Sequence, residues 1–254
     1  MLSPGQFSRA PILEAILSIR LEKMPETVLP PLKTLIESWG SFPAVANIVE
    51  NLVNFHSESP LTEKIELGEQ GIEKQGYMGI ASDQRSQVQL RTDGFSFHRL
   101  APYGDWNSFR DIARPLWEAY RLVAPSPVQA IELRYFNRLE LPLQEGSVDF
   151  NEYLNMRVEV PPSLPHGALS NYFFRVEMPQ PDLEAISVVQ QGMVAPELEE
   201  GKIPENLEII LDNHLISGGS ITDEEIWPLF ERFRERKNEI FEAALTPKMQ
   251  ELIF

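Results

Sequence analysis

The sequence predicts an α+β fold in which largely antiparallel sheet is packed by long aromatic helices, and three observations carry that prediction. First, Leu13, Ala15, Leu17, Ile19 and Leu21 alternate with Glu14, Ile16, Ser18, Arg20 and Glu22, and Ile131, Leu133, Tyr135, Leu139 and Leu141 are spaced in the same way. Period-two patterning marks strands with one buried face. Second, Asp93-Gly94 is a hairpin signal, because both residues tolerate the positive φ that a two-residue type I′ turn needs. Third, Trp106, Phe109, Ile112, Ala113, Leu116, Trp117 and Tyr120, and later Ile226, Phe230, Phe233, Ile240, Phe241 and Ala244, recur at helical spacing. Each half of the chain thus reads as strands followed by one aromatic helix, and two similar lobes are one form this class can take. Identity between the halves is too low to count as a repeat.

Element by element, the first strand is followed by a short helix from Leu29 to Trp39, led in by Pro30-Pro31. Strand-like pieces stand at Lys64–Gly68 and Tyr77–Ala81. With Asp93-Gly94 as the loop, Thr92 pairs with Phe95 and Leu90 with Phe97 on an apolar face, while Gln89 and His98 share the polar one. Asp105 is the expected N-cap of the next helix, and Pro115 is expected to bend or divide it near Asp111 to Arg114. A long strand from Ile131 to Leu141 follows. The polar stretch Gln144–Asp149 divides an N-terminal lobe, 1–143, from an acidic C-terminal lobe, 144–254, within one compact unit. Beyond it, Leu154–Val160, Tyr172–Met178, Ala185–Gln190 and Leu207–Leu211 are strand candidates. Thr222-Asp223-Glu224-Glu225 then forms a capping box that opens the last helix.

Composition narrows the function. The chain has 254 residues and no cysteine, which excludes disulfides, thiolate catalysis and Cys-ligated metal. Its net charge of −16 is uneven: 17 acidic and 14 basic residues lie in 1–143, against 21 and 8 in 144–254. A field of that sign repels phosphate backbones and anionic lipid, so membrane and general nucleic-acid partners are not expected. With no signal-peptide pattern and no run of apolar residues long enough to span a bilayer, a cytoplasmic protein is the expectation.

Several phrases resemble a sporadically distributed bacterial family of proteins of this length whose function is not known. They are Ala10 to Ile16; Asp93-Gly94-Phe95-x-Phe97-x-Arg99-Leu100-x-Pro102-Tyr103 with Trp106 and Phe109; Leu116-Trp117-x-x-Tyr120; Leu133-Arg134-Tyr135-x-Asn137-Arg138; and Lys237-Asn238-x-x-Phe241 with Thr246. The resemblance implies a single architecture, a bacterial source and a link to mobile or phage-defence loci, CRISPR-associated ancillary genes included. It transfers no catalytic residue.

Four sets of residues are site candidates. Arg134, Asn137 and Arg138, with Arg99 from the hairpin, can hold a phosphate or carboxylate; alternatively Glu132 and Glu140 pair with the arginines and Asn137 satisfies a core backbone group. Asp212 and His214 share a strand face and would need His166 or His56 to make a metal site; an isolated surface histidine is the plainer reading. Arg232, Arg236 and Lys237 form a basic run on the last helix that can meet a partner, or pair with Glu231 and Glu235 at helical spacing. The stripe Trp106, Phe109, Trp117 and Tyr120 can stack bases or dock a peptide, and more simply forms core. No catalytic residue, metal or cofactor is assigned. The leading expectation is a non-enzymatic protein-interaction or regulatory subunit whose partner is encoded nearby. The alternatives are a nucleotide- or nucleic-acid-binding module using Arg134 and Arg138, and an enzyme with an unrecognised carboxylate site.

Overall fold

Strand β1 (Ile12–Leu21) sends Ala15, Leu17, Ile19 and Leu21 into the core and turns Glu14, Ile16, Ser18 and Arg20 to the opposite face, as its alternation dictates. The computed structural model describes residues 11–51, 72–144, 146–161, 163–165, 169–194 and 205–253; the strand expected at Lys64–Gly68 lies outside them. Among the described residues β1 is joined by β2 (Ala44–Asn51), β3 (Ile72–Ile80), β4 (Ser86–Arg91), β5 (Gly94–Leu100), β6 (Val128–Pro142), β7 (Phe173–Gln180), β8 (Ala185–Met193) and β9 (Asn206–Ser217). They make one nine-stranded sheet in the order β2-β3-β4-β5-β1-β6-β9-β8-β7, every neighbouring pair antiparallel. The fold is α+β, as the sequence predicts.

The helices are α1 (Leu29–Ser38), α2 (Trp106–Val123), α3 (Phe150–Tyr153), α4 (Asp223–Ala244) and α5 (Pro247–Ile253). Their apolar sides all meet the same face of the sheet. Leu32 and Ile36 of α1, Phe109, Trp117 and Tyr120 of α2, and Ile226, Phe230 and Phe233 of α4 share one core with Leu17, Phe95, Phe97 and Leu133. A second cluster joins Tyr153, Phe241, Met249 and Ile253 to Leu139, Leu141, Ile209 and Leu211. Burying such side chains contributes roughly 1.5–3 kcal/mol each, so the helices are fixed by the sheet far more than by their own propensities. None of these helices lies on the other face.

The topology contains a repeat that residue identity hides. β1-α1-β2-β3-β4-β5-α2 and β6-α3-β7-β8-β9-α4 are the same succession, except that the second unit lacks a counterpart of β2. In each unit the first strand pairs with the last, β1 with β5 and β6 with β9. The two first strands then pair with each other, with Ile16 opposite Arg134. An approximate two-fold axis therefore passes between those two residues, and the chain crosses from one unit to the next at 124–127, one strand before the polar stretch at 144–149.

Several expectations need correction. The hairpin turn is Thr92-Asp93, because Arg91 pairs with Gly94 and Leu90 with Phe95. Gly94 is drawn into β5 beside Arg20 of β1, where a Cβ would stand 2.6 Å from the Ile19 carbonyl oxygen. The register shifts by two residues, so each side chain keeps its face. Helix α2 is one helix through Pro115; that residue is exposed and the missing hydrogen bond falls on the solvent side. Ile112, placed in the buried stripe, is 44% exposed. Leu154–Val160 is not a strand: Leu154 makes a single bridge to Leu245.

Candidate functional site on the helix-free face of the sheet

On the face away from the helices, outward positions of β4, β5, β1, β6, β9 and β8 form cross-strand rows. One row runs Gln87, His98, Ile16, Arg134, His214, Val188; the next runs Gln89, Ser96, Ser18, Glu132, Ile216, Ile186. The rows are bound by hydrogen bonds between charged groups. His98 Nδ1 lies 2.8 Å from Glu14 Oε1, and its Nε2 lies 2.9 Å from Ser96 Oγ. A carboxylate only accepts, so Nδ1 carries the proton and, in the neutral ring, Nε2 accepts from the serine hydroxyl. His214 Nε2 meets Glu132 Oε2 at 3.0 Å, and Arg20 also binds Glu132. Burial pushes the Glu132 carboxyl up, but the His214 and Arg20 contacts outweigh it and hold the group below its ordinary value.

Arg134 is held by a fork of two hydrogen bonds, Nε to Asp212 Oδ1 at 2.9 Å and Nη2 to Oδ2 at 2.6 Å. Gln190 Nε2 donates to the same Oδ2 at 2.9 Å, and the guanidinium sits 4.3 Å from the centre of the Phe136 ring. Beside this cluster, on the β4–β5–β1 side, the face sinks into a hollow of about 420 Å³. Its lining includes Ser18, Arg20, Gln89, Arg91, Ser96 and Arg134. Arg91 is steered by Asp93, with Nε 2.8 Å from Oδ1.

The candidate residues named from sequence are not brought together. Arg99 points to the helix side, opposite to Arg134, and binds Asp83 at 3.0 Å and the Ser86 hydroxyl. Asn137 is buried and donates to the carbonyls of Tyr135 and Leu211, at 3.3 and 3.1 Å, which is the core role foreseen as its alternative. Arg138 shares the face of Arg134 but lies four residues along β6, roughly 13 Å away at strand rise. It faces Glu208 at 3.7 Å and lines a separate hollow of about 490 Å³. Asp212 and His214 do share a face, yet Asp212 is taken by Arg134 and His214 by Glu132. His56 and His166 lie outside the described residues, and among those described no group of three His, Asp or Glu is placed to hold a metal.

On α4, Arg232 donates to the Asp182 carbonyl, and Arg236 binds Asp182 at 2.7 Å, Glu239 at 3.0 Å and Gln180. These two tie the helix to the turn after β7. Lys237 is a correction. It is 8% exposed, with Nζ 3.9 Å from the centre of the Tyr135 ring, so it faces the sheet and no partner. The reason is spacing: Ile226, Phe230, Phe233, Lys237, Phe241 and Ala244 are one stripe at intervals of four and three. The α2 stripe is core too, with Trp106, Phe109, Trp117 and Tyr120 all buried and the Trp106 indole donating to Glu231 at 2.8 Å.

Ser18, Arg20, Gln89, Ser96 and His98 escaped notice because each is an ordinary outward strand residue, separated in sequence from its neighbours on the face. Only the hairpin pattern, which sets Gln89 and His98 on one polar side, hinted at them. No described helix is long and apolar enough to cross a membrane. No protein-family model, no curated protein and no solved structure matches the chain.

Proposed function

We propose that the protein is a non-enzymatic interaction or regulatory subunit that takes up an extended segment of a partner protein along the edge of β7. The observation that supports it is Phe173, 68% exposed on the outermost strand of the second unit, with Val176 at 38% and Ile186 on the adjoining strand at 44%. By the repeat, β7 stands where β3 stands in the first unit, and β3 carries a further strand, β2. β7 carries none among the described residues. Tyr172 accepts from the Met193 amide across the β7–β8 ladder, so the backbone groups of Phe173, Arg175 and Glu177 point outward. An open edge of this kind templates strand addition, with main-chain hydrogen bonds giving affinity and alternate side chains giving specificity. A partner encoded nearby and a cytoplasmic setting belong to the same reading, as does the resemblance to sporadically occurring bacterial proteins.

The test is co-purification of the chain with the products of its neighbouring genes, using wild type and Arg175→Pro. Proline there deletes an outward amide and no bond to β8. The expected result is a stable complex that the variant loses while keeping its unfolding midpoint. No stable complex, or one indifferent to the proline, refutes the reading. The nucleotide-binding alternative built on Arg134 with Arg138 draws no support from their separation and their acidic partners.

A further inference from the structure

The two-fold relation makes the face of each unit a reference for the other. Glu14 and His98 correspond to Glu132 and His214, since each histidine pairs with the residue two positions after the glutamate it binds. By the same registers Gln89 corresponds to Gln190, Ser96 to Asp212 and Ser18 to Phe136. In the second unit the Phe136 ring and the Asp212 carboxylate fill the surface, and Gln190 is satisfied by that carboxylate at 2.9 Å. The first unit has two serines at those positions, and the 420 Å³ hollow lies over them. The Gln89 side-chain amide has no hydrogen-bond partner among the described residues, and neither has Ser18 Oγ.

We propose that this hollow is a binding site for a small carboxylate of amino-acid size, whose carboxylate stands over Ser96 where the Asp212 carboxylate stands in the second unit. The donors left over fit that group. The Gln89 amide and Ser18 hydroxyl line it, and Arg20 and Arg91 stand at it with guanidinium hydrogens that Glu132, Asp93 and Gln75 do not use. The volume falls in the usual range of ligand sites, roughly 300–1,000 Å³. Charge sets the upper limit on the anion. Each lining arginine is already bound to a carboxylate, Arg20 to Glu132, Arg91 to Asp93 and Arg134 to Asp212, so little positive charge is left for a polyphosphate, while one carboxylate with its amino group near Glu132 is accommodated.

The experiment is calorimetric titration of the full chain with each standard amino acid, with inorganic phosphate and AMP alongside. At least one amino acid should bind at one site. Ser18→Phe, which refills the hollow with the side chain the second unit carries, should weaken that binding at least tenfold, and so should Gln89→Leu, with unfolding midpoints unchanged. If Ser18→Phe does not fold, Gln89→Leu decides alone. Absence of amino-acid binding, binding of phosphate or AMP in its place, or full affinity in the variants overturns the proposal. Arg175→Pro leaves this site untouched, so the outcome is independent of strand addition at β7.

Discussion

Replacing Lys237 by methionine should make the protein more stable, by an amount that depends on pH. The lysine sits between α4 and β6 on the buried stripe, and burial, aided by Arg234 one turn earlier and opposed by Glu242, lowers its pKa from 10.5 to about 7. At about 1.4 kcal/mol for each tenfold loss of proton affinity, the fold gives up on the order of 4 kcal/mol at pH 7 relative to an uncharged side chain. The Tyr135 ring under Nζ returns about 0.5–2 kcal/mol of that. Methionine fills nearly the same volume without a charge, so the variant should gain about 3 kcal/mol at pH 7. Between pH 7 and 10.5 the unfolded chain binds the proton that the native one has released, so the wild type gains stability as pH rises. By pH 9 the native amine is neutral and no longer draws on the ring, the lysine's cost falls to about 2 kcal/mol, and the gap should narrow to about that value. Urea unfolding of both at pH 7, 8 and 9 gives the difference directly, and groups common to both cancel. A methionine variant less stable than wild type, or a gap that does not narrow with pH, refutes the reasoning.

Two further perturbations probe the sheet. Arg134→Ala leaves the Asp212 carboxylate, whose side chain is 5% exposed, with Gln190 alone; it should cost about 3–5 kcal/mol in urea unfolding. Asp212→Asn in that background should recover most of the loss. Gly94→Ala sets a Cβ against the Ile19 carbonyl, and should cost about 1–3 kcal/mol by the same assay, through parting of β1 from β5.

Elements whose residues carried their own signal were legible in the sequence. β1 and β6 announced themselves by alternation, and α2 and α4 by stripes of rings at three and four. β2 was not, because Ala44, Val45, Ala46 and Val49 occupy a sheet edge where neither face is deeply buried and no alternation is imposed. The position of Lys237 was legible in principle, since it falls on the stripe from Ile226 to Ala244; its charge suggested surface and outweighed its spacing. The hollow over Ser18 and Ser96 was not legible at all. It exists because β1 lies between strands from distant parts of the chain, and a serine where a phenylalanine stands in the other unit acquires meaning only once the two are superposed. The repeat itself was hidden for the same reason: register and strand order preserve it, while residue identity does not.

The central position of β1 has a consequence for how the chain is made. The strand is synthesised well before both of its neighbours, since β5 begins at Gly94 and β6 at Val128. Until β5 and β6 have followed it, an apolar, strand-forming segment has neither of its native neighbours beside it. Closing its ladders then requires encounters across long stretches of chain, which folds slowly and keeps sticky surface open meanwhile. Production at low temperature or with a holding chaperone should therefore raise the yield of native protein more than any change to the helices.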